Sequence, residues 1–123
     1  MSTVYLVQNS YTRDISTMLL RPRFDLSAVA PFGEIVEVLD GRIGPMATAP
    51  AMNEMRHALR NYCDDDFILA LGAPAFLVAA GAVAASHNNG RVHVLHWDKL
   101  QQKYYPLTFD VNHNQAKEKQ NAI

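Results

Sequence analysis

The chain has 123 residues, 49% of them apolar, and a formal net charge of −1. That is the size and composition of one ordinary domain, and it excludes both a disordered chain and a miniature fold that depends on metal or disulfide staples. The balanced charge supplies no whole-protein field for nucleic acid or an anionic membrane, and the single cysteine, Cys63, excludes an internal disulfide and fits a reducing compartment.

The N-terminal Met-Ser-Thr-Val-Tyr-Leu-Val-Gln has neither the basic start nor the long apolar run of a secretory signal. Thr3 to Gln8 is β-branched and aromatic, which predicts a first strand. Asn9 to Asp14 is polar and ends it. Residues 15–32 resist assignment, because Pro22 and Pro31 interrupt any helix and Arg21-Pro22-Arg23 reads as an exposed bend. After Gly33, Ile35, Val36, Val38 and Leu39 predict a second strand over Glu34 to Leu39, closed by Asp40-Gly41.

A helix is predicted from Ala49 to Tyr62, with Thr48 as its cap and Pro50 tolerated in its first turn. Met52, Met55, Leu59 and Tyr62 recur at helical spacing and form its inner face. Asp64-Asp65-Asp66 makes a turn. The apolar run Phe67 to Leu71 predicts a strand buried on both faces. Gly72-Ala73-Pro74 then hands over to a helix running from Pro74 to His87, ended by Asn88-Asn89-Gly90. Phe67 to Ala85 carries no charge and approaches a membrane span in length, yet it is dominated by Ala and Gly and broken at Gly72. A strand and a helix, without a membrane, is the better reading. Arg91 to Trp97 and Lys103 to Val111 predict a final hairpin, with Tyr105, Leu107, Phe109 and Val111 on one face and Pro106 requiring an edge.

The order is β, an irregular segment, β-α-β-α-β, then β. It predicts an α/β fold: a minimal Rossmann-like sheet with three parallel middle strands and a last strand that returns antiparallel. One domain over residues 1–111 is expected, with a polar, frayed tail over 112–123. The place of the first strand in the sheet stays open.

Ligands of open parallel sheets collect at the carboxyl ends of the strands. That edge would carry Asp40, Gly41 and Arg42, then Gly72, Ala73 and Pro74, then Trp97, Asp98 and Lys99. Asn9 to Asp14 join it if the first strand is also parallel. If a small anion binds there, Arg42, Gly72, Ala73 and Lys99 should lie near it, with the helix starting at Pro74 contributing its free amides. The simpler reading of Gly72-Ala73-Pro74 is a tight turn, since Pro74 removes one amide and the motif is not Gly-x-Gly-x-x-Gly.

His93 and His96 are three apart on a strand and so face opposite ways, which denies them a common ion. No cofactor and no metal site is expected. Asp64-Asp65-Asp66 reads as a solvated turn, and these carboxylates should make Cys63 a poor thiolate. Arg13, Arg21 and Arg23, with two tyrosines after Lys103, could serve single-stranded nucleic acid, although a loop and an edge hairpin explain them as well.

The Pro74–His87 helix is apolar all round and needs cover on every side. Residues 15–32 are the one sizeable segment left to supply it. A twofold mate is the alternative, with Phe76, Ala80, Gly81, Ala84 and Ala85 at a homodimer interface.

Several stretches resemble a group of small, uncharacterised bacteriophage proteins. They are Asp66-Phe67-Ile68-Leu69-Ala70-Leu71-Gly72-Ala73-Pro74, Asn89-Gly90-Arg91-Val92, Leu95-His96-Trp97-Asp98 and Tyr104-Tyr105-Pro106, with Phe32-Gly33-Glu34-Ile35 upstream. The resemblance covers roughly residues 32–111. It implies a phage accessory protein acting in the host cytoplasm. Where that group often reads Gly-Asp-Pro, this chain has Gly72-Ala73-Pro74, so an acidic role at that turn does not carry over. Three functions compete: a non-catalytic homo-oligomer binding a host or phage macromolecule, a nucleotide or small-anion binder or enzyme using the strand-end edge, and a single-strand nucleic-acid binder.

Overall fold

A computed structural model describes residues 2–9, 11–13, 15–22 and 25–112. Its main sheet comprises β1 (Thr3–Gln8), β4 (Glu34–Leu39), β5 (Phe67–Leu69), β6 (Arg91–Asp98) and β7 (Lys103–Asp110). They lie in the order β4-β1-β5-β6-β7. β1 pairs in parallel with both β4 and β5, β5 pairs in parallel with β6, and β6 pairs antiparallel with β7. The α/β architecture expected from the sequence is therefore present. The first strand takes a central place, consistent with Val4, Tyr5, Leu6 and Val7 all being buried.

Strand order decides which face each connection covers. From β1 to β4 the chain moves one way across the sheet. From β4 to β5 and from β5 to β6 it moves the other way. Right-handed crossovers then put the first connection on one face and the next two on the opposite face. Helices α1 (Thr48–Ala58) and α2 (Pro74–Ser86) accordingly share one face, where Met55, Leu59, Tyr62, Phe76, Ala80, Val83 and Ala84 pack on Tyr5, Val7, Ile68 and Val92. The other face carries a 3-10 helix, Ser27–Phe32, whose Val29 joins Val4, Leu6, Leu69 and Leu95 in a second, smaller core. Between β1 and the 3-10 helix, β2 (Tyr11–Arg13) and β3 (Leu20–Pro22) form a short antiparallel hairpin.

Several local expectations need correction. β2 falls inside the stretch read as polar loop, and residues 15–32 hold β3 and the 3-10 helix. Three-residue strands give too little alternation to register in a sequence. Thr48 is the first residue of α1, not its cap: Ala47 occupies that position without a side-chain hydrogen bond. α1 also stops at Ala58, four residues before Tyr62. Leu59 and Tyr62 remain buried below the turn that follows. β5 spans three residues, shorter than the Phe67–Leu71 run, because Leu71 already bends back to pair its amide with the Leu69 carbonyl at 2.8 Å. α2 ends one residue before His87, and the Gly90 amide closes it by donating to the Ala85 carbonyl at 2.8 Å.

Gly33 opens β4 with φ 147° beside the start of β1. A Cβ there would overlap the Ser2 carbonyl, so this close approach of backbones is open only to glycine. Pro106 sits on edge strand β7, as its missing amide requires. No helix among the described residues is long and apolar enough to cross a membrane.

Candidate functional site

The parallel strands bring Asp40 to Arg42, Asn9, Leu71 to Ala73, and Trp97 to Lys99 to one edge of the sheet, after β4, β1, β5 and β6 respectively. The order reverses between β1 and β5, which is where an open α/β sheet ordinarily leaves its crevice. Here Gln8 occupies that crevice. Its backbone amide donates to the Leu71 carbonyl at 3.0 Å. Its side-chain amide donates to the Asp40 and Ile43 carbonyls at 3.0 and 2.8 Å. Gly72, at φ 138°, gives this side chain room, for a Cβ there would stand 3.1 Å from that of Gln8.

The four residues expected around an anion share this edge without converging. Arg42 forks onto Asp40, with Nε and Nη2 reaching the two carboxylate oxygens at 3.2 and 2.8 Å. The Arg42 hydrogen bonds hold Asp40 down at about 2, so the guanidinium is already neutralised by a carboxylate two residues away. Gly72 accommodates Gln8. Ala73 packs against the helix-side core and caps α2, taking the amides of Phe76 and Leu77 onto its carbonyl at 2.9 and 3.1 Å. Pro74 has no amide, so the first turn of α2 offers little to an anion.

Lys99 lines a cavity of about 480 Å³ on the other face, above the ends of β5 and β6. Its apolar wall comes from Leu69, Leu71 and Leu95. Trp97 and Tyr104 form its aromatic wall, ring centroids 4.9 Å apart and planes at 60°. Asp25, just ahead of the 3-10 helix, completes it. Its carboxylate accepts the Ser27 amide at 2.9 Å, and that bond lowers its pKa. Tyr104 is raised, by burial first and by Asp25 second. The sequence pointed to Lys99 and Trp97 but missed Asp25 and Tyr104. The pairing of Trp97 with Tyr104 follows from a four-residue turn, since Asp98 opposite Lys103 puts those two rings side by side. Asp25 had no local signal, because only the crossover from β1 brings it here.

At the amino edge a polar network joins several elements. Asp64 accepts from Asn88 Nδ2 at 2.8 Å, pairs with Arg91 Nη1 at 2.9 Å, and lies 3.1 Å from His93 Nε2. The hydrogen bond from Asn88, then His93 and Arg91, lowers its pKa. His93 Nδ1 meets Thr108 Oγ1 at 2.8 Å. His96 pairs with Tyr105 and faces the opposite way, as the spacing required. Asp66 is buried and accepts the Thr3 and Cys63 amides, both at 3.0 Å. The Asp65 backbone favours the Cys63 thiolate, but burial and the Asp66 and Asp65 carboxylates outweigh it and raise the thiol. The triple aspartate is thus divided: Asp64 serves the network, and Asp66 fastens β1 to the turn after α1. No group of three or more metal-ligating side chains comes together among the described residues.

The interface expected on α2 divides as well. Phe76, Ala80, Ala84 and Ala85 are buried inside the chain's own core, whereas Gly81 is half-buried with open space where a side chain would stand. Val78 is 75% exposed and shares the outward stripe with Ala75 and Ala82. On the same face of the sheet, edge strand β7 exposes Leu107 and Phe109, with Val111 beyond its end. Of the basic group, Arg13 and Arg21 lie on the β2–β3 hairpin, and Arg23 lies outside the described residues.

A family model described as "Phage Pam3 gp32-like protein" matches residues 2–111. No curated protein and no solved structure matches the chain.

Proposed function

Since the chain belongs to the Phage Pam3 gp32-like protein family, it is a phage protein, and we propose that it binds a small molecule in the cavity at the carboxyl ends of β5 and β6. The carrying observation is the cavity itself. It combines an apolar wall, an aromatic pair and two opposite charges, and its 480 Å³ is in the range of small-molecule sites. It also sits at the strand-end edge where such folds hold ligands. The reading keeps the strand-end site expected from the sequence but moves it to the face away from the helices. Lys99 stays in it; Arg42, Gly72 and Ala73 leave it.

The test uses Trp97, the one tryptophan of the chain, as its own reporter. A library of small metabolites is screened by thermal shift, and the hits are titrated against Trp97 emission. A ligand in this cavity raises the melting temperature and changes the emission together. Hits that stabilise without touching the emission would place the site elsewhere and defeat the proposal.

A second reading, a homodimer that engages a host or phage macromolecule, is favoured by the exposed apolar row of β7. Leu107, Phe109 and Val111 are 41%, 55% and 74% exposed. Contiguous apolar surface of this kind marks interaction sites. The interface of this reading runs over β7 and the Val78 stripe rather than the buried side of α2. The host cytoplasm is the proposed place of action, supported by the family and by the lone thiol of Cys63.

A further inference from the structure

We propose, resting on the reading of the cavity as a small-molecule site, that its ligand is a nucleoside monophosphate with a guanine-type base. The walls define the ligand's parts. Trp97 and Tyr104 present ring faces and edges at 4.9 Å centroid separation, a wall suited to a planar heterocycle. Asp25 is acceptor-only, held ionised by the Ser27 amide, with lone pairs beyond the one that amide uses. It can accept N–H donors from a ligand in the cavity. Among the bases, guanine offers two adjacent donors, N1–H and the 2-amino group, which suit one carboxylate. Lys99, from the turn after β6, is donor-only and placed to meet an anion at the ligand's other end. A purely apolar ligand would engage neither charge, and a simple anion would engage neither the rings nor Asp25. The volume of 480 Å³ accommodates one mononucleotide. The free nucleotide and the end of a single strand share this chemistry, and the experiment separates them.

The full chain is titrated with GMP, IMP, AMP, guanosine, inorganic phosphate, an aromatic amino acid and short single-stranded oligonucleotides, reading Trp97 emission and the melting temperature. GMP is expected to bind best, with AMP at least tenfold weaker and IMP between them. Lys99→Ala should weaken GMP at least tenfold and leave guanosine within twofold. Asp25→Asn, which can still accept the Ser27 amide, should erase the preference for GMP over AMP. Oligonucleotides binding more tightly per site than GMP would overturn the mononucleotide in favour of a strand. Equal affinity for GMP and AMP, or binding by the aromatic amino acid alone, would overturn the ligand class while leaving the cavity as a site. If the apolar dye anilinonaphthalene sulfonate and every other probe leave Trp97 unchanged, both the ligand and the cavity reading fall.

Discussion

Replacing Tyr62 by Phe removes one oxygen atom and should be among the more damaging conservative changes in this chain. The side chain is only 3% exposed. Its hydroxyl accepts the His93 backbone amide at 2.9 Å and donates to the Asp66 carbonyl at 3.2 Å. It thereby ties β6 to the turn after α1, through the same Asp66 that holds the start of β1. The ring keeps its packing, including the tilted contact with Tyr5 at 5.9 Å, so the loss is confined to the two hydrogen bonds. Leaving this half-buried His93 amide without a partner costs about 1–3 kcal/mol, toward the lower end because water can reach it in part. For a domain of this size that is a fall of roughly 3–12 °C in Tm. The effect depends on pH with a definite sign. Burial, opposed by the His93 amide and reinforced by nearby carboxylates, raises Tyr62 to about 12 from 10.0. A raised folded-state pKa means that the neutral hydroxyl's contribution is fully present below pH 10 and is lost as pH rises toward 12. Urea unfolding followed by circular dichroism at pH 7 and pH 11 tests both parts. The wild type should lead clearly at pH 7, and the gap should narrow at pH 11. A Tyr62→Phe variant within 0.5 kcal/mol of wild type at pH 7, by the usual spread of neutral substitutions, would refute the reasoning.

Other consequences are as specific. Nuclear magnetic resonance titration of the Asp40 carboxyl should give a midpoint near 2, and Arg42→Ala should return it toward 3.8. Gly33→Ala should destabilise by about 1–3 kcal/mol in urea unfolding, through backbone strain and overlap with Ser2. Phe109→Lys should leave folding stability within about 0.5 kcal/mol, since the ring is 55% exposed. If the dimer reading holds, light scattering should show the same variant at the monomer mass while the wild type runs as a dimer.

The parallel core was legible because its signals are local and long enough. The apolar runs at Thr3–Gln8 and Phe67–Leu71, Pro74 at a helix start, and Gly90 past a helix end each carry a local physical cause, although only Phe67–Leu69 of the second run is strand. The antiparallel partner of β6 followed from alternation around the Asp98–Lys103 turn, and its edge position from Pro106. The hairpin of Tyr11–Arg13 with Leu20–Pro22 stayed hidden, because three residues cannot establish a period. Part of the cover for α2 comes from an element the sequence did not point to. A helix with no polar face was expected to need protection all round, yet its outward stripe is Ala75, Val78 and Ala82. Alanine presents so little apolar area that exposing it costs far less than exposing leucine would. Two helices on one face also meant that α1, not residues 15–32, flanks α2. The cavity was half legible: its edge and Trp97 could be read from strand ends, whereas Asp25 could not, because its contact belongs to the crossover.

That crossover sets the thermodynamic character of the site. On the face away from α1 and α2, the connection from β1 to β4 carries six residues of 3-10 helix, entered where the Val29 amide donates to the Leu26 carbonyl at 3.0 Å. A layer only six residues long, with Val29 as its buried side chain, is expected to open at a free energy below that of global unfolding. The amides of Ser27–Phe32 should therefore exchange sooner than those of the strands beneath, and Asp25 lies just ahead of that segment. On the proposed reading, a ligand held by Asp25 would stabilise the closed layer, and occupancy would be read out as slowed exchange across Ser27–Phe32 while the parallel strands keep their own protection.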